Sequence, residues 1–553
     1  MPRKIPSLIP GALGALIVLA TIFAVGRPAV FTDTRDYFIH GARFYQALRR
    51  VAFNEADAPA QPAPGQKWTR QQWVKHFNHS NMGARSPYYG VFLYTLAHHG
   101  TLWAMTAVQA LCCAWLAFLL WRGMAPNAPG WTYYALMAAL CAGTSLPWVA
   151  GFAVPDIFAP VTAMAIVLIA LYRQGLERWE KAGVWVLLTA GILFHGSHLL
   201  LTLSLLPFVL GAAWLLKPDA GALRRTGGLI LGAAAAASVL GFVYAAAIRV
   251  HTGDELRRPP FLIARVLADG PGRAYLRHSC AEGAPWVICK YKDLPLARSD
   301  DILWSAKKTL GVFNRSSYEE RLAMEDQENS FVLHTIAYDP WGQLYASARN
   351  WWRQLLRCWV DDPLRRPSVF LRHNYWGRTN LVGLIRGVGD CGRSGALCEP
   401  KVTISGLAAV DEKVLLLALA GMVVALAQRK ALGRLLRRDA GWDDPAGRAT
   451  LAAVLLCAAV VLNAAVCGVV SGPFPRYQAR IVWLLPEAAM LLGLALAPAR
   501  AWAWARLPSA WRSRPPGSTR PAPYGARSTR PSCGSAWWGR WASAPTRRCC
   551  TCS

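Results

Sequence analysis

The feature that most constrains this chain is a series of long apolar runs separated by short basic segments. The first run covers residues 7–26 and the last covers 481–498. An α-helix needs about 20 apolar residues to cross the roughly 30 Å hydrocarbon layer of a bilayer. Of the 553 residues, 54% are hydrophobic and only 16% are charged, whereas a soluble domain carries about 25% charged residues. The sequence therefore predicts an all-α polytopic membrane protein with about ten transmembrane helices.

The run 183–216 decides the topology, because it is too long for one crossing of the bilayer. The sequence HGSH at 195–198 divides it into two short spans. The other predicted spans are 7–26, 99–121, 131–151, 157–172, 226–248, 413–427, 449–470 and 481–498. With this count one side of the membrane receives Arg3, Lys4, Arg122, Arg173, Arg224, Arg429, Arg437 and Arg500, as the positive-inside rule requires of the cytoplasmic side.

The net charge of +29 would indicate nucleic-acid binding in a soluble protein. Here most basic residues lie in short loops between apolar runs, which is the pattern that sets membrane orientation. We therefore expect the lipid bilayer, and no nucleic acid, as a partner. The predicted location is a bacterial inner membrane, with both termini in the cytoplasm and the largest polar segment in the periplasm.

The apolar runs divide the chain into four regions. Residues 1–248 form an N-terminal membrane region of about seven spans, with a long outer loop at 27–88. Residues 249–411 are predicted to form an inserted extracytoplasmic domain, mostly helical, and 412–506 a C-terminal membrane region of about three spans. Residues 507–553 lack Asp, Glu and Lys, and such a composition predicts a disordered tail.

Two close cysteine pairs lie in the segment predicted to face outward. They are Cys280 with Cys289 and Cys391 with Cys398. Disulfides persist in oxidising compartments such as the periplasm. Both pairs are therefore candidate disulfides.

Two carboxylates follow the first span in the sequence TDTRDY. Asp33 and Asp36 have i, i+3 spacing, which puts both on one face of a helix. One could act as a general base while the other orients an acceptor or pairs with Arg35. The alternative is helix capping, since Thr32 or Asp33 before an amphipathic helix is a common N-terminal signal.

Arginines on the outer side are informative because they are depleted there. Arg476 and Arg480, one helical turn apart, form a fork suited to phosphate oxygens. Tyr477 between them and Arg85 before SPYYG are candidates for the same phosphate site. The alternative for the pair is an interfacial position or an ion pair with Glu487 or a loop carboxylate.

Three further polar groups reach the same face. Asp156 in VPDIF is a candidate catalytic carboxylate or a helix cap. His195 and His198 have spacing compatible with metal ligands, or they are solvated at a turn. No metal site and no cofactor motif is predicted, and a divalent metal stays open.

With acids after span one, the VPDIF acid, many spans and an outward domain, the chain resembles GT-C-type glycosyltransferases, polytopic enzymes that use polyprenyl-phosphate sugars. The resemblance implies a polyprenyl-phosphate-linked sugar as donor and a glycan or lipid of the cell envelope as acceptor. It implies that Asp33 or Asp36 is the catalytic base and that Arg476 and Arg480 hold the lipid phosphate. Transfer would invert the anomeric centre. The chain departs from the family in its DxxD spacing and in the position of its large domain.

Two other classes remain open. A lipid or polysaccharide transporter, or flippase, would carry ionisable residues deep within its spans and pseudo-symmetric halves. A non-catalytic membrane scaffold would bind a partner through its outer domain and tolerate substitution of Asp33 and Asp36.

Overall fold

The computed structural model describes residues 6–25, 28–53, 85–99, 101–216, 220–252, 258–360, 404–427, 433–435, 437 and 441–497. This part of the chain is all-helical and contains no β-strand. It belongs to one compact unit, Met1–Trp502. Residues 54–84 of the outer loop, Cys391, Cys398 and the tail 507–553 lie outside the described residues.

The main helices are numbered in chain order. They are α1 Leu8–Val25, α2 Thr32–Phe53, α3 Pro87–His99, α4 Leu102–Met124, α5 Trp131–Gly143, α6 Leu146–Ala150, α7 Phe158–Val167, α8 Arg178–Phe194, α9 Gly196–Leu215, α10 Ala220–Thr252, α11 Phe261–Asp269, α12 Pro271–Ala281, α13 Ser299–Trp304, α14 Tyr318–Tyr338, α15 Pro340–Leu355, α16 Ile404–Ala427, α17 Pro445–Val466, α18 Pro475–Val482 and α19 Leu484–Leu496.

Six helical stretches of the described residues are long and apolar enough to cross a membrane. They are Leu102–Met124, Pro155–Gly175, Gly196–Leu215, Gly221–Val250, Pro445–Ser471 and Pro475–Leu496. Leu8–Ala24 is apolar but shorter. These helices indicate an integral membrane protein, while the count of about ten spans is not confirmed.

The stretch 131–151, predicted as one span, is broken into α5 and α6. The Thr144 hydroxyl donates to the Leu140 carbonyl at 2.6 Å, and the Ser145 hydroxyl donates to the Ala479 carbonyl at 2.6 Å. The Thr144 hydroxyl thus shares the Leu140 carbonyl with the helical backbone. Helix α6 begins at Leu146, and Pro147 in its first turn needs no amide donor there.

The long apolar run is also divided, at His195 between α8 and α9. The His195 side chain caps α9 by accepting a hydrogen bond from the Ser197 amide at 3.2 Å. An imidazole at this position ends one apolar helix and begins the next.

Small residues let α1 lie close against α4 and α5. Gly11 faces Trp115, and Gly14 leaves room for the hydroxyl of Tyr133. That hydroxyl donates to the Ala114 carbonyl at 2.9 Å. The first apolar helix is therefore packed within the helical bundle.

Helices α11–α14 surround a second hydrophobic core, which includes Leu267, Leu276, Phe313 and Phe331. Cys280 and Cys289 are joined by a disulfide in this region. We call residues 258–360 the outer helical region, after its predicted position. Its last helix, α15, packs on α17 and on the π-helical turn Cys467–Ser471.

Candidate functional site

Hydrogen bonds join two loops that are distant in sequence, the loop before α2 and the loop after α6. The Ala29 amide donates to the Gly151 carbonyl at 3.0 Å, and the Ala153 amide donates to the Ala29 carbonyl at 2.9 Å. The buried Thr34 hydroxyl donates to the Ala153 carbonyl at 3.0 Å. The loop before α2 and the VPD turn are therefore adjacent, which places Asp33 near Asp156.

A glycine contact sets the spacing between α2 and α3. A Cβ at Gly41 would overlap the carbonyl of Gly90, and a Cβ at Gly90 would overlap the carbonyl of Tyr37. Only glycine allows this backbone approach. The contact brings Asp33 at the start of α2 beside Arg85, which precedes α3.

Five charged side chains form a continuous chain of ion pairs. Asp33 lies 2.5 Å from Arg85 Nη2 and 3.1 Å from Arg476 Nη2. Asp156 lies 3.2 Å from Arg476 Nε and 3.2 Å from Arg480 Nη1. We call this set, Arg85–Asp33–Arg476–Asp156–Arg480, the ion chain. Three guanidiniums against two carboxylates leave it with one net positive charge.

The two ends of the ion chain differ in their access to solvent. The side chains of Asp33, Arg85 and Arg476 are 21%, 18% and 21% exposed, whereas those of Asp156 and Arg480 are 3% and 1% exposed. A ligand can therefore reach the Arg85–Asp33–Arg476 end, which we call the open end. Asp156 and Arg480 form a buried support for it.

Arg480 is fully engaged inside the protein. It donates to the Asn463 carbonyl oxygen at 2.8 Å, to the Ser197 hydroxyl at 3.0 Å and to Asp156. With these partners and only 1% of its side chain exposed, Arg480 is directed at neighbouring protein groups. Arg476 and Arg480 therefore differ in exposure, and Arg476 shares the open end with Arg85.

Asp156 does not cap the helical turn on which it lies, Pro155–Ile157, since that turn has no side-chain cap hydrogen bond. Its carboxylate is instead the partner of two arginines. The carboxylate is almost fully buried, and it holds the two guanidiniums in place.

The charges around Asp33 determine its acidity. Burial alone would raise the pKa of this carboxyl, but Arg85 and then Arg476 outweigh burial and lower the pKa to about 2. With both arginines in contact, Asp33 is ionised over the physiological range and is a weak proton acceptor. A change in its arginine contacts would change its basicity.

Aromatic rings line the open end. The Arg476 guanidinium carbon lies 4.9 Å from the Phe31 ring centroid and 5.4 Å from that of Tyr477. The Arg85 guanidinium carbon lies 5.9 Å from the ring centroid of Trp304 in α13. These rings restrict the guanidiniums through cation–π contacts. Trp304 also brings the outer helical region to the site.

The two predicted histidines lie beside the buried support. The His195 and His198 ring centroids are 5.2 Å apart, and Ser197 between them accepts the bond from Arg480. His198 Nδ1 is 2.7 Å from the Gly191 carbonyl, so Nδ1 carries the proton and Nε2 is an acceptor. Burial, then His198 and Arg480, lower the pKa of His195.

Asp36 lies one turn after Asp33 on α2 and is half-buried. A carboxylate that the sequence did not single out, Asp300 at the start of α13, lies close enough for the charges of Asp33 and Arg476 to act on it. Burial raises the pKa of Asp300. It had no sequence signal beyond its position in an acidic helix start.

The loop that leads to Arg476 is held by a residue that sequence reasoning missed. Gln354 of α15 donates to the Phe474 carbonyl at 2.9 Å and accepts from the Phe474 amide at 2.8 Å. Asn463 similarly donates to the Tyr477 carbonyl at 2.7 Å. Both amides satisfy backbone groups beside α18, and so they position Arg476 and Arg480.

Comparison with protein family models, with curated proteins and with solved structures found no match. The site must therefore be interpreted from its own chemistry. In the part of the chain that the structure describes, no group of three or more His, Cys, Asp and Glu is placed to hold a metal ion.

Proposed function

We propose that this protein is a membrane glycosyltransferase that moves a sugar from a polyprenyl-phosphate donor to an extracytoplasmic glycan or lipid acceptor, with inversion. The observation that carries the proposal is the open end of the ion chain. Two partly exposed arginines flank one carboxylate there. They stand next to candidate membrane spans, where a lipid-linked phosphate would arrive.

The charge balance supports binding of a single phosphate. One net positive charge in the ion chain matches the one negative charge of a sugar phosphodiester. Arg85 and Arg476 can form charge-assisted hydrogen bonds with phosphate oxygens. As they turn toward the phosphate, they release Asp33, whose pKa then rises toward its ordinary value.

The released Asp33 acts as the general base. It takes the proton of the acceptor hydroxyl while that oxygen attacks the anomeric carbon from the face opposite the phosphate. The bond between the anomeric carbon and the phosphate oxygen breaks, and the electron pair leaves on the lipid phosphate. Arg85 and Arg476 stabilise the additional negative charge of the leaving group. Asp156 and Arg480 keep Arg476 in position.

We place the open end on the periplasmic side of a bacterial inner membrane, with ten spans and both termini in the cytoplasm. The support is the distribution of basic residues, which collects the short basic loops on one side. The disulfide between Cys280 and Cys289 agrees with an oxidising compartment on the other side.

The test uses the purified full chain and a panel of labelled polyprenyl-phosphate sugars. Donor consumption and donor-induced thermal stabilisation are measured for the parent, Asp33→Asn, Asp36→Asn and Arg476→Ala. We expect one donor to bind and be consumed, Asp33→Asn to bind without consuming it, and Arg476→Ala to bind weakly. The control is Arg273→Ala, at a partly exposed arginine of the outer helical region that donates to the Pro295 carbonyl. A protein that binds none of the donors is not this enzyme.

A transporter is the second candidate, and one buried carboxyl favours it. Glu487 lies in the candidate span Pro475–Leu496, is fully buried, and neither carboxyl oxygen has a hydrogen-bond partner among the described residues. Intramembrane carboxyls of this kind occur in proton relays. Glu487→Gln should abolish proton-coupled transport but leave glycosyl transfer intact. A scaffold would tolerate Asp33→Asn, Arg476→Ala and Glu487→Gln alike.

A further inference from the structure

Helix α15 has its polarity reversed with respect to a helix on the surface of a water-soluble protein. Its buried stripe includes Gln343, Asn350 and Gln354. Its exposed side carries Trp341, Leu344 and Tyr345, which are 78%, 59% and 69% exposed, together with the exposed Trp352. A helix facing water normally buries the apolar stripe and exposes the polar one.

Hydrogen bonds anchor the buried polar stripe. Asn350 donates to Asp269 at 2.7 Å, and Gln343 donates to the same carboxylate at 3.0 Å. Gln354 bonds both backbone groups of Phe474. Each polar side chain has a partner, so the orientation of α15 is fixed by specific hydrogen bonds and the aromatic side cannot turn inward.

Helix α15 lies directly against a candidate membrane span. The Trp351 indole donates to the Val461 carbonyl at 3.2 Å, inside Pro445–Ser471. Gly468 lets the α15 backbone approach the same span, because a Cβ there would lie 2.7 Å from the Asn350 carbonyl oxygen. The exposed side of α15 is therefore continuous with the exposed Val454 and Val461 of α17.

We propose that α15 lies in the interfacial layer of the bilayer, with Trp341, Leu344, Tyr345 and Trp352 in contact with lipid. Trp and Tyr prefer this depth because their rings are apolar and their N–H or O–H group is polar. The exposed Arg353 is placed to contact lipid phosphates, as basic residues of interfacial helices do. The occupant of this surface is thus the membrane in which α17 is inserted.

The first experiment is photo-crosslinking in the full chain. Benzoylphenylalanine is placed at Trp341, at Tyr345 or, as a control, at the exposed Lys308 of the outer helical region. The protein is reconstituted into vesicles of phosphatidylethanolamine and phosphatidylglycerol that carry a radiolabelled phosphate. After irradiation we expect lipid incorporation at positions 341 and 345 roughly tenfold above that at 308.

The second experiment needs no substitution. A lipid-soluble aryl diazirine is photolysed in the same vesicles with the unaltered protein, and the modified peptides are identified by mass spectrometry. Peptides from 340–356 should be modified, as those from 445–471 are, while peptides from 285–310 should not.

Four results would overturn the proposal. They are equal lipid labelling at 341, 345 and 308; a crosslink from 341 or 345 to residues 361–403 of the same chain; a crosslink to a second copy or another polypeptide; and diazirine modification of 445–471 without 340–356. The two crosslinks to polypeptide would mean that protein covers the aromatic side, and the diazirine result would mean that α15 lies outside the lipid.

Discussion

Arg480 and Asp156 form a buried ion pair of 3.2 Å between residues that are 324 positions apart in the chain. Neither side chain reaches solvent. The pair joins α18 to the VPD turn, so it fixes the geometry on which the open end of the ion chain depends.

Removal of Arg480 should therefore destabilise the protein. Arg480→Ala leaves the Asp156 and Asn463 acceptors buried without this donor, and breaking a buried pair costs about 3–5 kcal/mol. We expect a marked fall in the thermal unfolding midpoint, followed by tryptophan fluorescence in detergent micelles. The control is Arg298→Ala, whose pair with Asp301 is surface-exposed and should contribute about 0–1 kcal/mol. Equal midpoints for both variants would contradict a supporting role for Arg480.

The stability of the protein should fall in strong acid through Asp33. Its folded pKa of about 2 lies below the unfolded value of about 3.9, so the ionised form stabilises the folded state above pH 4. This contribution, about 2 kcal/mol by linkage, is lost as the pH falls from 4 to 2. Unfolding free energies of the parent and Asp33→Asn should therefore converge as the pH falls. Parallel profiles would show that the arginines do not hold Asp33.

Glycine at position 41 should be required for both stability and the site. Gly41→Ala forces α2 away from α3, and such overpacking costs about 1–3 kcal/mol or more. It also increases the separation of Asp33 and Arg85. Gly232→Ala, in a helix where a Cβ meets no atom within 4 Å, is the matched control and should be neutral or stabilising. Thermal unfolding of both variants checks this, and a neutral Gly41→Ala would refute the close contact.

Gln354 should act as a positioning residue for Arg476. Gln354→Leu removes both hydrogen bonds to Phe474 and leaves its amide without this partner, at a cost of about 1–3 kcal/mol. We expect a higher donor KM and weaker thermal stabilisation by the donor. Gln327→Leu is matched because Gln327 also bonds two backbone groups, the Val287 amide and the Pro285 carbonyl. If both variants change donor binding equally, the effect of Gln354 is only on folding.

Much of the helical architecture follows from local sequence. Apolar length located the helices at 99–121 and 226–248, and HGSH located the break at His195, because a capping side chain acts on its own neighbours. The break at Thr144–Ser145 was missed since a short polar pair in an apolar run is also common inside membrane helices. The hydrogen bond from Ser145 to Ala479 depends on a distant segment.

The sequence indicated which charged residues belong to the site, but it did not indicate which of them form ion pairs with one another. Asp33, Asp156, Arg85, Arg476 and Arg480 each had a local signal, namely charge at the end of an apolar run. The division into an open end and a buried support depends on tertiary burial, which no local pattern around Arg480 indicates. Gln354 and Asn463 were not singled out, because the backbone groups that they bond, at Phe474 and Tyr477, belong to a different segment of the chain.

The reversed polarity of α15 also sets the order in which the chain can complete its fold. The hydrogen bonds between Gln354 and Phe474 cannot form until Phe474, 120 residues later in the chain, has been synthesised. Until then the polar side of α15 lacks these bonds. Helices α11–α14 have a hydrophobic core of their own, whereas α15 reaches its final position only after residues 461–474, which supply its hydrogen-bond partners, have been synthesised.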